Sequence, residues 1–103
     1  MSTYSSIKTI TDAQSAGLAA LFSALSDPSR VRILSTLLES ELSVQDIAGQ
    51  VGLSHSAVSH QLRSLRQMRI VRAQKRGRQV FYALDDSHVS DLLLRGLDHI
   101  QHE

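Results

Sequence analysis

The sequence predicts a mostly α-helical fold with one small β-hairpin. Three observations carry that prediction. Apolar residues recur at i, i+3, i+4 and i+7 through most of the chain. Two such segments are separated by a glycine turn, the spacing of a helical hairpin. Two β-prone runs then flank a basic turn before a last helical stretch. At 103 residues the chain is long enough for one domain, spanning 1–103, and small enough that oligomerisation would help its core.

Residues 1–11 are rich in Ser and Thr and are expected to fray. Leu18, Leu21, Phe22 and Leu25 form a helical stripe, so a first helix is expected over 12–25. Asp27-Pro28 reads as an N-cap followed by Pro at N1. The helix it starts should run over about 28–39, with Val31, Leu34, Leu37 and Leu38 inward. Ser43-Val44-Gln45-Asp46 resembles a capping box with Asp in place of Glu. It opens a short helix through Gln50, which Gly52 breaks. Ser54 caps the next helix, about 55–68, with Val58, Leu62 and Leu65 buried. Residues 70–74 and 80–84 are β-prone and flank Lys75-Arg76-Gly77-Arg78-Gln79, a hairpin signature. The final helix should span about 86–101, with Val89, Leu92, Leu93, Gly96, Leu97 and Ile100 as its apolar stripe. Gly96 would permit close approach of another helix.

Residues 43–68 thus form a helix-turn-helix and 70–84 a wing, which together make a winged helix-turn-helix. In this motif the N-terminal part of the second helix enters the major groove. The residues placed there are Ser54, His55, Ser56, Ser59, His60 and Gln61. Ser and Gln read base edges or phosphates, and a helix N-terminus offers free N–H groups to phosphate. Arg63 lies further along and suits the backbone, as does Arg66. Lys75, Arg76 and Arg78 form a basic wing tip. The blander alternatives are a buried His60 and serines that merely line a helix surface.

Charge supports the DNA reading. The net charge is +1, but from Ile47 to Leu84 there are seven basic residues and no acid. The last nineteen residues carry five acids against Arg95. A basic middle between acidic flanks reads as a polyanion-binding face. Four aromatics and no Trp argue against base stacking. The absence of Cys excludes disulfides and thiolate metal sites. No apolar run reaches the ~18–20 residues of a membrane span, so a cytoplasmic protein is the default.

Asp86, His88, His99 and His102 form a second constellation. Imidazole and carboxylate are ligands for zinc or cobalt in a tetrahedral site. Three of the five histidines lie in the last sixteen residues. His99 and His102 lie within roughly 40° of His88 around the helix, at about 100° per residue. His88 and His99 are about 16 Å apart along the axis, at about 1.5 Å per residue. One helix cannot bring all four ligands to one ion, whereas two antiparallel copies can. Two-fold symmetry then makes two intersubunit sites. The alternative is that Asp86 caps the helix and the histidines are solvated.

The residues also resemble a family. Ala24-Leu25-Ser26-Asp27-Pro28-Ser29-Arg30-Val31-Arg32-Ile33-Leu34 is similar to the A-L-x-D-P-x-R-x-x-I-L stretch of the ArsR/SmtB repressors. Ser54 to Leu62 resembles their recognition helix, and Gly77 to Tyr82 their wing strand. The resemblance covers nearly the whole chain after about residue 18. It implies a winged-helix homodimer, paired through its terminal helices over 86–102, that represses metal-efflux or sequestration genes. The expected partner is palindromic operator DNA, released on binding Zn(II), with Co(II) or Ni(II) as alternatives. Within the family, Asp86, His88, His99 and His102 match the terminal-helix site of the zinc/cobalt sensors. Glu41-Leu42-Ser43-Val44-Gln45-Asp46 occupies the E-L-C-V-C-D box of the thiolate sensors, with Ser43 and Gln45 in place of both cysteines. The resemblance further places an acceptor for His99 near the end of the recognition helix, around 68–70, with the carbonyl of Arg69 the expected group. A nickel sensor would usually recruit further ligands, and a structural dimer with adventitious metal is a second-class alternative. An enzyme has little support, since no nucleophile or phosphate loop is evident and four protein ligands leave zinc no open position.

Overall fold

The computed structural model describes residues 9–101. The expected fraying over 1–11 therefore falls mostly outside the described residues, as does the candidate ligand His102. Helix α1 (Asp12–Ala24) is capped rather than frayed at its start. Thr11 accepts the Gln14 amide at 3.0 Å, and the Gln14 side chain accepts the Thr11 amide at 2.9 Å. The sequence reading missed this reciprocal box. Leu25 is the C-cap of α1 and not a helical residue.

Helix α2 (Pro28–Ser35) starts as expected, with the Asp27 carboxylate accepting the Arg30 amide at 3.2 Å. It ends earlier than expected. The amides of Thr36, Leu37 and Leu38 bond three residues back, so the chain tightens into turns instead of continuing to 39. The rotation of α2 also differs. Ile33 is fully buried and Val31 is 37% exposed, so Ile33 takes the core place expected of Val31.

A short strand β1 (Leu42–Ser43) follows, which the sequence reading missed. Helix α3 (Val44–Val51) is capped by Ser43, whose hydroxyl accepts the Asp46 amide at 3.2 Å. Gly52 ends it with φ at 72°, a left-handed conformation that glycine adopts without Cβ strain. Helix α4 (His55–Gln67) is capped by Ser54, which accepts the Ala57 amide at 3.1 Å. The wing strands are β2 (Val71–Arg76) and β3 (Gln79–Leu84). They are longer than expected, so only Gly77 and Arg78 form the turn. Gly77 has φ at 63°, as a two-residue hairpin requires. The antiparallel sheet has the order β1-β3-β2, with Leu42 opposite Tyr82 and Val71 opposite Leu84. Helix α5 (Ser87–Gln101) completes the fold.

The core joins α2, α3, α4 and the sheet through Ile33, Leu34, Ile47, Val58, Leu62, Leu65, Ile70 and Val71, all at most 2% exposed. Burying such side chains stabilises by ~1.5–3 kcal/mol each. The terminal helices are different. Leu18 and Phe22 on α1 are 44% and 54% exposed, and Leu94, Leu97 and Ile100 on α5 are 50%, 44% and 70% exposed. On α5 only Val89 is buried in the single chain. Outside its own stretch of helix, no atom of the described residues lies within 4 Å of where a Gly96 Cβ would stand, so the single chain gives Gly96 no close approach to serve. No helix among the described residues is long and apolar enough to cross a membrane.

Candidate nucleic-acid interface and metal centre

Helix α4 presents one side to the core and the other to solvent. At about 100° per residue, Ser56, Ser59, His60, Arg63 and Arg66 fan over roughly 120°, centred roughly 130° around the helix from Val58, Leu62 and Leu65. His60 is exposed, which removes the reading of a buried histidine. Ser54 is committed to capping, and its hydroxyl lies 3.3 Å from that of Ser56. His55 and Ser59 line a cleft of about 320 Å³ with Gln45, Arg78, Gln79 and Tyr82, between the recognition helix and the wing. Gln61 does not share the outward face. It is half-buried, and its side-chain oxygen accepts from the Arg30 Nε at 2.8 Å.

The basic residues also divide. Arg63, Lys75 and Arg78 are exposed. Arg76 is exposed too, but it pairs with Glu41 and its guanidinium stands 5.3 Å from the Phe81 ring centroid. Arg72 donates to the carbonyls of Leu84 and Asp85 at 2.8 and 3.0 Å. These contacts hold Arg76 and Arg72 to the wing. Sequence reading found the cations but not their partners, because Glu41 and Arg76 are brought together only by the pairing of β1, β3 and β2.

At the start of α5, Asp86 uses its two oxygens differently. Oδ1 accepts the amides of His88 and Val89 at 2.9 and 3.2 Å, which is N-capping. Oδ2 faces the His88 Nδ1 at 3.3 Å. The Val89 amide, followed by the His88 ring, holds the Asp86 carboxyl below its ordinary value. His88 is exposed, with 89% of its side chain accessible. His99 is exposed in the last turn of the same helix. Among the described residues of one chain, no three His, Asp or Glu side chains come together as a metal site. The pair Asp86–His88 is brought together; His99 stands apart from it on α5.

The chain from α2 to the wing meets DNA-binding criteria at each level. It has a short helix, a left-handed glycine, a capped second helix with a polar outer face, and a basic hairpin. These define a winged helix-turn-helix DNA-binding regulator. Residues 27–73 match the family described as "Bacterial regulatory protein, arsR family". The chain is 49% identical over 88 residues to the "Transcriptional repressor SmtB homolog" of Synechocystis sp., covering 85% of this chain and 67% of that one. It is 42% identical over 92 residues to the "HTH-type transcriptional regulator NmtR" of Mycobacterium tuberculosis, covering 88% and 77%. The crystal structure of the AntR antimony-specific transcriptional repressor superposes with a TM-score of 0.84 at 36% identity, covering 93% of this chain and 87% of that one. The chain therefore belongs to the ArsR/SmtB family of metal-sensing winged-helix repressors, and it is a transcriptional regulator rather than an enzyme.

Proposed function

We propose that this protein is a zinc-responsive repressor, with cobalt as a second effector, acting on DNA in the cytoplasm. Its metal-free homodimer binds a palindromic operator and leaves it when metal binds. One observation carries the reading. The donor residues Asp86 and His88 stand at one end of α5 and His99 at the other, flanking a stripe whose Leu94, Leu97 and Ile100 are exposed. A second copy packed antiparallel would cover that stripe and bring Asp86 and His88 of one chain to His99 and His102 of its mate. The donor set is imidazole and carboxylate without thiolate, which suits zinc and cobalt rather than soft ions. Capping does not compete with this role, since Oδ1 of Asp86 serves the helix and Oδ2 lies beside His88.

Bound metal would supply a fixed cross-link between the two terminal helices. His99 would convey that constraint by donating its non-ligating N–H to the carbonyl of Arg69. The Arg69 carbonyl takes no backbone hydrogen bond among the described residues. A cleft of about 220 Å³ is lined by Gly17, Ala20 and Leu21 together with Met68 and Ile70, the chain neighbours of Arg69. DNA contact would run through Ser56, Ser59, His60 and Arg63 on α4 and Lys75 and Arg78 on the wing, with His55 at the cleft between them.

The test is operator binding by metal-free protein under separate titrations with zinc, cobalt and nickel. One zinc per chain should release the operator. No release by stoichiometric zinc, or release by nickel alone, would overturn the assignment.

A further inference from the structure

The recognition helix is anchored by a contact that is neither apolar nor part of the DNA face. Arg30, in the first turn of α2, is half-buried, and its Nε donates to Oε1 of Gln61 at 2.8 Å across 31 residues of chain. One of its terminal nitrogens lies 3.4 Å from the carbonyl of Ala24, the last and buried residue of α1. Its backbone is pinned as well, because its amide donates to the Asp27 cap. Two residues on, Arg32 donates to the carbonyl of Val51 at 2.9 Å, at the C-terminal end of α3. Helix α2 therefore holds both helices of the helix-turn-helix through arginines, and Arg30 holds the end of α1 with the same guanidinium.

We propose that Arg30 is a positioning residue for DNA recognition: through Gln61 it sets the rotation of α4 toward the groove, and through Ala24 it ties that rotation to α1. Burial of Val58, Leu62 and Leu65 holds α4 against the core, but apolar burial is non-directional. A planar guanidinium with two acceptors has a preferred orientation, so it adds a directional constraint to the rotation that packing sets. Gln61 lies roughly 160° around α4 from the centre of the polar outer face, at about 100° per residue. It is thus a strut and not a base reader. The far end of the strut is α1, whose Leu18 and Phe22 are exposed for pairing. A change at the dimer seam would reach the reading helix through this guanidinium.

The inference rests on the DNA-binding reading above, and the test separates the two. NMR of the full metal-free protein reads the Arg30 Nε–H. It should exchange slowly in the native protein and fast in Gln61→Met. An unprotected Nε–H in the native protein would overturn the contact with no DNA present. Operator affinity is then measured for Arg30→Met, Gln61→Met and the double variant, beside affinity for random duplex. Each single variant should lose about tenfold or more on the operator, the scale of a hydrogen bond to a charged group. The double variant should be no weaker than the weaker single. Random-duplex affinity should stay within about twofold, since sequence-independent binding rests on phosphate contacts that the strut does not make. Gln61→Glu, which keeps an acceptor for Arg30, should restore operator binding beside native Arg30 and fail beside Arg30→Met.

Three outcomes in the variants also overturn the proposal. Losses that add in the double variant, with specificity relaxed at one base pair, make Gln61 a base reader. A salt slope lowered in Arg30→Met makes Arg30 a phosphate contact. Equal losses on random duplex with depressed melting make the pair structural only. Native protein that keeps a protected Nε–H yet binds no DNA defeats the DNA reading and, with it, the positioning role.

Discussion

Arg69 is the one non-glycine among the described residues with a left-handed backbone, φ 59°. It sits one residue past the Met68 C-cap of α4, where its amide bonds Arg66 and the Ile70 amide bonds Leu65, both at 3.0 Å. This is the Schellman pattern, whose left-handed position favours glycine. An L-residue with a Cβ there costs about 1 kcal/mol. Arg69→Gly should therefore raise stability by about that amount, or roughly 4–8 °C in melting temperature. An unchanged or lower melting temperature would mean that the Arg69 side chain makes a compensating contact. Asp86 gives a second prediction at this scale. Its carboxyl is held below the ordinary 3.8, first by the Val89 amide and then by His88. A lowered folded-state value means that the cap contributes above the unfolded value and is lost as pH falls through the lowered one. Protection of the His88 and Val89 amides should fall on acidification below pH 3.8. Asp86→Asn should remove that pH dependence, and retention of it would assign the effect to another carboxylate.

The wing shows how partners change what an element can do. Arg76 is engaged with Glu41 and Phe81, whereas Arg78 stands in the turn beside Gly77. Arg78→Ala should lower the log–log salt slope of operator binding by about 1 per chain. Arg76→Ala should leave the slope nearly unchanged and lower wing stability instead; equal flattening by both would return Arg76 to the DNA face. The helices and the hairpin were legible because their signals are local. Asp27-Pro28, Ser43, Gly52, Ser54 and Gly77 each dictate backbone geometry from their own chemistry. Strand β1 was not legible, because Leu42 and Ser43 are too short for a pattern and pair with residues about forty positions away. The rotation of α2 was not legible either, since Val31, Ile33 and Leu34 are all apolar and only packing selects Ile33 over Val31. Gln61 carried an ambiguous signal. A glutamine after the start of a recognition helix suits both a base edge and an arginine on a neighbouring helix, and the spacing of Gln61 from Arg30 in sequence gives no hint of the contact. For the candidate metal site, the sequence supplied ligand types and axial spacing. The fold adds that Asp86 and His88 meet on an exposed helix start, and it separates the capping oxygen from the one facing the ring.

Across the whole molecule, the apolar surface is distributed in two parts. Among the described residues, one is the core closed around α2–α4 and the sheet, and the other is the exposed set that lies mostly on α1 and α5. A closed DNA-reading unit joined to an open pairing layer is what a repressor needs if an event at the pairing layer is to be felt at the operator. The final prediction concerns the residue between them. His99 lies in the last turn of α5 and is exposed. If it binds metal through one ring nitrogen, its other N–H is free to donate, and such a donor fixes the ring against its acceptor. With Arg69 as that acceptor, the constraint enters the polypeptide directly at the Schellman turn that ends α4. The left-handed backbone of Arg69 leaves that turn few alternatives, so a shift there should pass into α4 as a rigid movement. Zinc should then weaken operator binding by about 1–3 kcal/mol of coupling or more, and operator should weaken zinc binding equally. Replacing His99 with a histidine methylated on the non-ligating nitrogen isolates the step. Zinc affinity should be retained while release of the operator is lost, and release that persists in the methylated protein would place the coupling elsewhere.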